Sequence, residues 1–546
     1  MKKILLMALL CLGANVAGFA CTNFIVGKKA SVDGSVMCSY SADDYGMFQS
    51  LAHYPAGKHA KGEMVKIFDW DTNEYHGEIP QAAETWNVIG NINEWQVTIG
   101  ETTFGGREEM VDSTGIIDYG SLIYLALQRS KTAREAIKVM TTLAETYGYN
   151  SEGETFTICD PNEARMMAMM GCGPRSKSEV WVALRVPDDA ICAHANQSRI
   201  RTFNPKDKQN VMCSKNVVKY AREQGWYNGK DADFSFCETY AKPDFSGRRF
   251  CEARVWTFFN MYSDDMAQYV DYAAGKVADA KPMPLWIVPK RKLSVHDMEM
   301  AMRDHYEGTP FALDSDIGGG IWEMPYRPTP LQFKVDGKSY FNERPVSTQQ
   351  SGFVYVSQMR SWLPREVGGI LWFGNDDANM VAFTPVYCCT PEAPRAYNTP
   401  GADNITFSMD NAFWVCNWVS NMVYPRYAQM FGSLQTVRDS LDNSYFAAQA
   451  EVEAKALELS KTDRQAAVDY LSKYTSDKAD QMLDTWKNLA TYLIVKYNDM
   501  VVKEDVNGKF VRDKFGLGKR PSRPGYPERY ARELIKQTGT KFEVVK

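Results

Sequence analysis

The chain has 546 residues, 45% of them hydrophobic and 12% aromatic, which is ample for a large buried core. A formal net charge of -5 spread over that length offers no basic field, so nucleic acid is not an expected partner. Beyond the first twenty residues no apolar run approaches the roughly 20 residues a membrane span requires.

The leader comes first in chain order. Lys2 and Lys3 precede the apolar stretch ILLMALLCL, and Gly18 and Ala20 supply small residues before Cys21. This is the pattern of a signal peptide cleaved after Ala20, which predicts an exported protein, periplasmic or secreted, whose mature chain begins at Cys21. Of the twelve cysteines, setting aside Cys11 in the leader and Cys21 leaves an even number, which permits disulfides without requiring them. No paired CxxC motif is present, and none of the six histidines has the spacing of a metal ligand set, so neither metal nor cofactor is expected.

Short strands dominate the first third. TNFIVG and SVMCSYS flank a turn carrying Asp33-Gly34, ETWNVIG and EWQVTIGETTF flank NIN, TFTIC and RMMAMM flank DPNEA, and VWVALRV and AICAHAN flank PDD; all four read as antiparallel hairpins. Between them residues 118–148 show helical spacing with a break near Ser130, which is also a candidate cap for the second segment. Residues from about 443 to 500 read as charged helix, and the last forty as an irregular arm ending in a short helix. Strand and helix runs are segregated, so the expected class is α+β. The expected organisation is a leader over 1–20, a catalytic domain over 21–430, and a helical C-terminal region with a basic tail over 431–546.

Counting along the first hairpin places Cys21 opposite a position between Ser41 and Gly46, a window that includes Asp43 and Asp44. A cysteine at a new N-terminus carries a nucleophile and a base on one residue. Its α-amine, with an ordinary pKa of about 7.7–8.0, can accept the thiol proton and later return it to a leaving amine.

CTNFIVGKKASVDGSVM, starting at the expected cleavage point, resembles the opening of the dipeptidase D (PepD-like) family of cysteine-type N-terminal nucleophile hydrolases, relatives of the choloylglycine hydrolases. The resemblance continues through NINEWQVTIGETTF, GETFTICDPNEA, VWVALRVPDD, HANQSRI, CEARVW, MRDHYEGT and SQMRSWLPREVGGILWFG. It implies a four-layer αββα sandwich and hydrolysis of amide bonds, typically in dipeptides. Carried over by position, it implies Cys21 as nucleophile, Asp43 as the acid holding the α-amino group, Asn196 as support for the oxyanion or the amine, and Arg254 as part of the catalytic neighbourhood. Two positions depart from the pattern: Tyr40 stands where relatives often carry arginine, and Glu101, Thr102 and Thr103 where choloylglycine hydrolases place an oxyanion asparagine.

Each residue also has a plain reading. Asp43 and Asp44 fit a solvated turn, Arg254 an ion pair with Glu252 or Asp264, Asn196 a turn cap, and Tyr40 a packing position on a strand. His194 shares a strand face with Asn196, and His305 sits among Asp304 and Glu307. The expected function is an exported cysteine dipeptidase acting on small peptide or amide substrates, with a homo-oligomer allowed. The alternatives are an N-acyl amidohydrolase and a binding protein lipidated at Cys21, the last disfavoured by Gly18 where a lipobox wants an aliphatic residue.

Overall fold

In the computed structural model, which describes residues 21–329 and 331–545, TNFIV forms strand β1 (Thr22–Val26) and VMCSYSAD forms β2 (Val36–Asp43), with every residue of both buried. The expected leader lies outside the described residues. Runs buried on both faces belong inside a layered fold. β1 and β2 lie in the middle of a seven-stranded antiparallel sheet, between strands Ile191–His194 and Ser351–Met359. Gly369–Asn375 and Thr384–Tyr387 extend it on the β2 side. A second sheet of eight strands has at its centre β3 (Thr98–Gly105) and β4 (Gly153–Cys159), followed by Ala164–Gly171 and Glu179–Arg185.

The two sheets meet around β1, β2 and β3. Asn23 on β1 donates its amide to the Glu101 carbonyl at 2.7 Å, and Thr98 and Ser357 join hydroxyls at 2.9 Å. Gly100 permits this approach: a Cβ there would stand 2.4 Å from Asn23 Oδ1, well inside contact distance. Alternation on β3 and β4 then sends Ile99, Phe156 and Ile158 the other way, onto helices α1 (Tyr119–Arg129) and α2 (Ala133–Tyr147), where they join Leu125, Ile137 and Met140 in a separate core. Helix α3 (Ala253–Tyr262), Val295–Met302 and Ala412–Val423 pack on the first sheet. So does the helical hairpin of Tyr427–Ser460 and Arg464–Tyr497, whose Trp486, Leu489 and Leu493 join the main core. The α+β expectation holds, and among the described residues no helix is long and apolar enough to cross a membrane.

Three local expectations are corrected. VWVALRV and AICAHAN do not pair: Glu179–Arg185 belongs to the second sheet and Ile191–His194 (β5) to the first, where it pairs with β1. Both runs are apolar on both faces, so either partner would satisfy their pattern. The crossing runs against Gly27, where a Cβ would lie 2.5 Å from the carbonyl oxygens of Pro187 and Asp188. The cap of α2 is Thr132, whose hydroxyl accepts from Glu135 N, while Ser130 turns back to the Ala126 carbonyl. NIN is not the turn of one long hairpin: ETWNVIG supplies only the two-residue strands Glu84–Thr85 and Val88–Ile89, and Ile92–Asn93 within NIN is itself a strand before β3 begins. The eleven described cysteines are all free thiols.

His194 ties the sheets together. Its ring nitrogens lie 2.7 Å from the hydroxyls of Thr102 and Thr157, one donating and one accepting. Burial, helped by the nearby Arg199 charge, pushes it down to about 3 from an ordinary 6.5. The folded protein therefore keeps His194 neutral where the unfolded chain takes up a proton, and stability falls as the pH drops from about 6.5 toward 3, at up to about 1.4 kcal/mol per pH unit. The expected result is a denaturant midpoint that declines across this window and declines less in His194→Gln. An equal slope in both proteins would clear His194 of that role.

Candidate active site

Thr22 pairs with Ser41, so Cys21 stands opposite the Ala42–Asp43 end of β2, inside the window counted from the sequence. The residue is buried, and its sulfur has two side-chain neighbours. Glu101 Oε1, from β3 on the facing sheet, lies 3.3 Å from Sγ, and the Tyr40 hydroxyl, from β2, lies 3.6 Å away. Tyr40 also donates to Glu101 Oε1 at 2.5 Å, so sulfur, phenol and carboxyl form one contact group between the sheets.

Arg254 holds the cysteine from behind. It stands in the first turn of α3, directly after a π-helical stretch, Gly247–Glu252, of the kind often found at functional sites. All of its N–H groups are used: Nε on the Phe250 carbonyl, Nη1 on the Cys21 carbonyl at 2.7 Å and Thr22 Oγ1 at 2.8 Å, Nη2 on the Ala195 carbonyl at 3.2 Å and Asn196 Oδ1 at 3.0 Å. The alternative ion pairs are excluded, because Glu252 binds Arg199 at 2.8 Å and Asp264 binds Lys290 at 2.6 Å. Asn196 sits just past β5 with a left-handed φ of 57° and sends Nδ2 to the Thr103 carbonyl at 2.8 Å.

Asp43 is not a turn residue. Buried at the end of β2, its carboxylate accepts from Ser41 Oγ at 2.7 Å and Ser351 Oγ at 2.5 Å and pairs with the buried Arg344. Its backbone N–H faces the Cys21 sulfur as a donor.

The sequence pattern of peptidase family C69 matches residues 20–440, which contain every residue of this group. The chain belongs to peptidase family C69. That membership makes it a hydrolase of peptide bonds. Among similar proteins are a "probable dipeptidase" from Salmonella dublin, 26% identical over 74% of this chain and 87% of its own length, and one from Latilactobacillus sakei, 23% identical over 75% and 82%. "Dipeptidase A" from Lactobacillus helveticus is 24% identical over 76% of this chain and 84% of its own.

In this C69 peptidase the electrostatics hold Cys21 as a thiol. Burial pushes Cys21 well above the ordinary thiol range, and the charges of Glu101 and then Asp43 push the same way, while donation from the Asp43 N–H and the Tyr40 hydroxyl opposes them. Glu101 is itself raised, chiefly by burial. Glu154, a diagonal neighbour on β4, is raised well above the carboxyl range by burial and then by the Glu101 charge. Arg254 is lowered to about 10 by burial and by Arg344, which leaves it charged at neutral pH. Glu101→Gln removes one of the charges that raise the thiol. The pH midpoint for alkylation of Cys21 by iodoacetamide is then expected to fall measurably below that of the parent; a midpoint that stays put would take Glu101 out of the field at sulfur.

Of the residues singled out from sequence, the structure gathers Cys21, Asn196 and Arg254 through Arg254 itself, and brings Asp43 to the sulfur by its backbone. Tyr40 does more than pack on its strand, since its hydroxyl is within the contact group. His194 is an inter-sheet tie. His305 pairs with Glu307 at 2.8 Å, away from this group. Glu154 and Arg344 were not singled out. The one available signal was a glutamate at 101 and another at 154 in strands otherwise buried.

Proposed function

We propose that this chain is an exported cysteine dipeptidase whose leader is removed after Ala20 and whose nucleophile is Cys21. The observation that carries the reading is that the residue at the expected cleavage point is the one whose carbonyl is clamped by Arg254 and whose sulfur meets Tyr40 and Glu101. The dipeptidase names of the similar proteins support a dipeptide substrate. Two facing sheets with helices packed against both fit the αββα sandwich of N-terminal nucleophile hydrolases, with 21–430 as its catalytic domain and 431–546 as a helical addition.

The steps follow from the thiol's environment. A sulfur held protonated needs a base in contact, and the freed α-amine of Cys21 is that base. Sγ attacks the peptide carbonyl as the amine takes the thiol proton. The amine returns that proton to the departing amino group, and water cleaves the thioester. Asp43, fixed by Ser41, Ser351 and Arg344, sets the charge balance beside the amine. Asn196, held by Arg254 and Thr103, supports the oxyanion or the amine. Periplasmic or secreted location follows from the leader.

The test is an intact mass of the protein recovered from an exporting host, followed by assays on dipeptides and on N-acyl amino acids. A chain beginning at a free, alkylatable Cys21 that cleaves dipeptides is the expected result. A start elsewhere, a lipid on Cys21, or cleavage of acyl substrates alone would overturn the reading.

A further inference from the structure

Bordering the Tyr40 ring lies a cavity that the reaction steps leave unused. It holds about 540 Å³ of empty space, open solvent at its mouth included. Its wall is aromatic: Tyr40, Tyr54, Trp70, Tyr119, Tyr124 and Phe353 all line it. Tyr40 is shared with the nucleophile, since the ring that borders the cavity carries the hydroxyl 3.6 Å from Cys21 Sγ. Phe353 sets its ring edge to face against Tyr40 with centroids 5.5 Å apart, and Tyr54 stacks on Tyr124 at 4.8 Å, so the wall is built from rings that brace one another. Tyr119 is tied down by its hydroxyl, which donates to Asp71 Oδ1 at 2.8 Å.

We propose that this cavity is the subsite for the side chain of the substrate residue whose carbonyl Cys21 attacks, and that it selects large apolar or aromatic side chains there. The proposal rests on the dipeptidase reading above and adds its substrate class. Position assigns the residue: the Tyr40 phenol spans from sulfur to cavity, and the side chain nearest the attacked carbonyl belongs to the amino-terminal residue of the dipeptide. Chemistry assigns the class. No charged side chain lines the cavity. A lysine or arginine side chain would lose its hydration there without a carboxylate to pair with, because Asp71 stands behind Tyr119 and is engaged by it. A phenyl or leucyl group would bury its surface against ring faces at no such cost.

The experiment compares Phe-Ala, Ala-Phe, Lys-Ala and Ala-Ala as substrates of the mature enzyme, then repeats the comparison in Ala52→Trp and Ile123→Trp. Both positions line the cavity and are only partly buried, so a larger side chain fills the space from its edge without displacing core residues. The expected result is a kcat/KM for Phe-Ala at least about tenfold above Ala-Ala and Lys-Ala. Either filled variant then lowers Phe-Ala by about tenfold or more and changes Ala-Ala by less than about twofold, with unfolding midpoints near that of the parent. Equal rates on Phe-Ala and Ala-Ala, a preference for Ala-Phe or Lys-Ala, or a proportional loss on every substrate in a folded variant would overturn the subsite while leaving the dipeptidase reading intact. Cleavage of none of the four dipeptides would instead count against that reading. In that case calorimetric binding of Phe-Ala to Cys21→Ala, and its loss in Cys21→Ala with Ile123→Trp, decides the subsite separately, no binding being the overturning result.

Discussion

Cys21→Ala abolishes dipeptide hydrolysis, lowering turnover by about 10⁴-fold or more, while the protein keeps its fold; this is the largest effect expected of any single change. The sulfur is the strongest nucleophile of the group it forms with Glu101 and Tyr40. Removing it deletes one buried atom from a strand end whose position is fixed through its carbonyl by Arg254, so the surrounding bonds remain. Cys21→Ser keeps the geometry but replaces the thiol with a hydroxyl that the proposed amine base would deprotonate far less readily, so weak residual activity is expected. The measurement is steady-state hydrolysis of a dipeptide alongside a thermal melt. Full turnover by a folded Cys21→Ala protein would end the mechanism.

Arg254→Lys is expected to lower kcat by about 10²- to 10³-fold while leaving the Cys21 thiol alkylatable. Arginine reaches five acceptors at once from a rigid plane, linking the Cys21 carbonyl and Thr22 on one side to Ala195 and Asn196 on the other. Lysine keeps the charge but has one nitrogen, so it cannot hold both sides. Slippage of about 1 Å at a reacting centre is enough for a hundredfold loss. Orphaned carbonyls in a buried site also cost about 1–3 kcal/mol each, so a lower unfolding midpoint accompanies the change. The two readouts separate positioning from folding: a loss of rate that exceeds the loss of folded protein marks a positioning role, whereas near-normal turnover would leave Arg254 purely structural.

What the sequence determined by itself was local and chemical. Counting along the first hairpin brings Cys21 to within a few residues of Asp43, because a turn signal between two strand runs bounds their register; the register itself, Thr22 on Ser41, is set by the longer connection over 27–35 and not by a tight turn at Asp33-Gly34. The helices flanking the Ser130 break and the helical character of residues 443–500 were equally legible, since a 3.6-residue apolar period is a property of the segment alone, whereas the division of the latter into two antiparallel helices, Tyr427–Ser460 and Arg464–Tyr497, was not. The tertiary structure decided which surfaces meet. Ile191–His194 crosses to the first sheet because its apolar faces fit either partner and only the packed whole chooses between them. Glu101 reaches the sulfur from a strand eighty positions away, and Arg254 from a helix more than two hundred positions away, through contacts across layers that no spacing rule encodes. Burial between those layers is what raises the thiol and the Glu154 carboxyl and keeps His194 neutral, and burial is a property of the assembled fold rather than of any stretch of sequence.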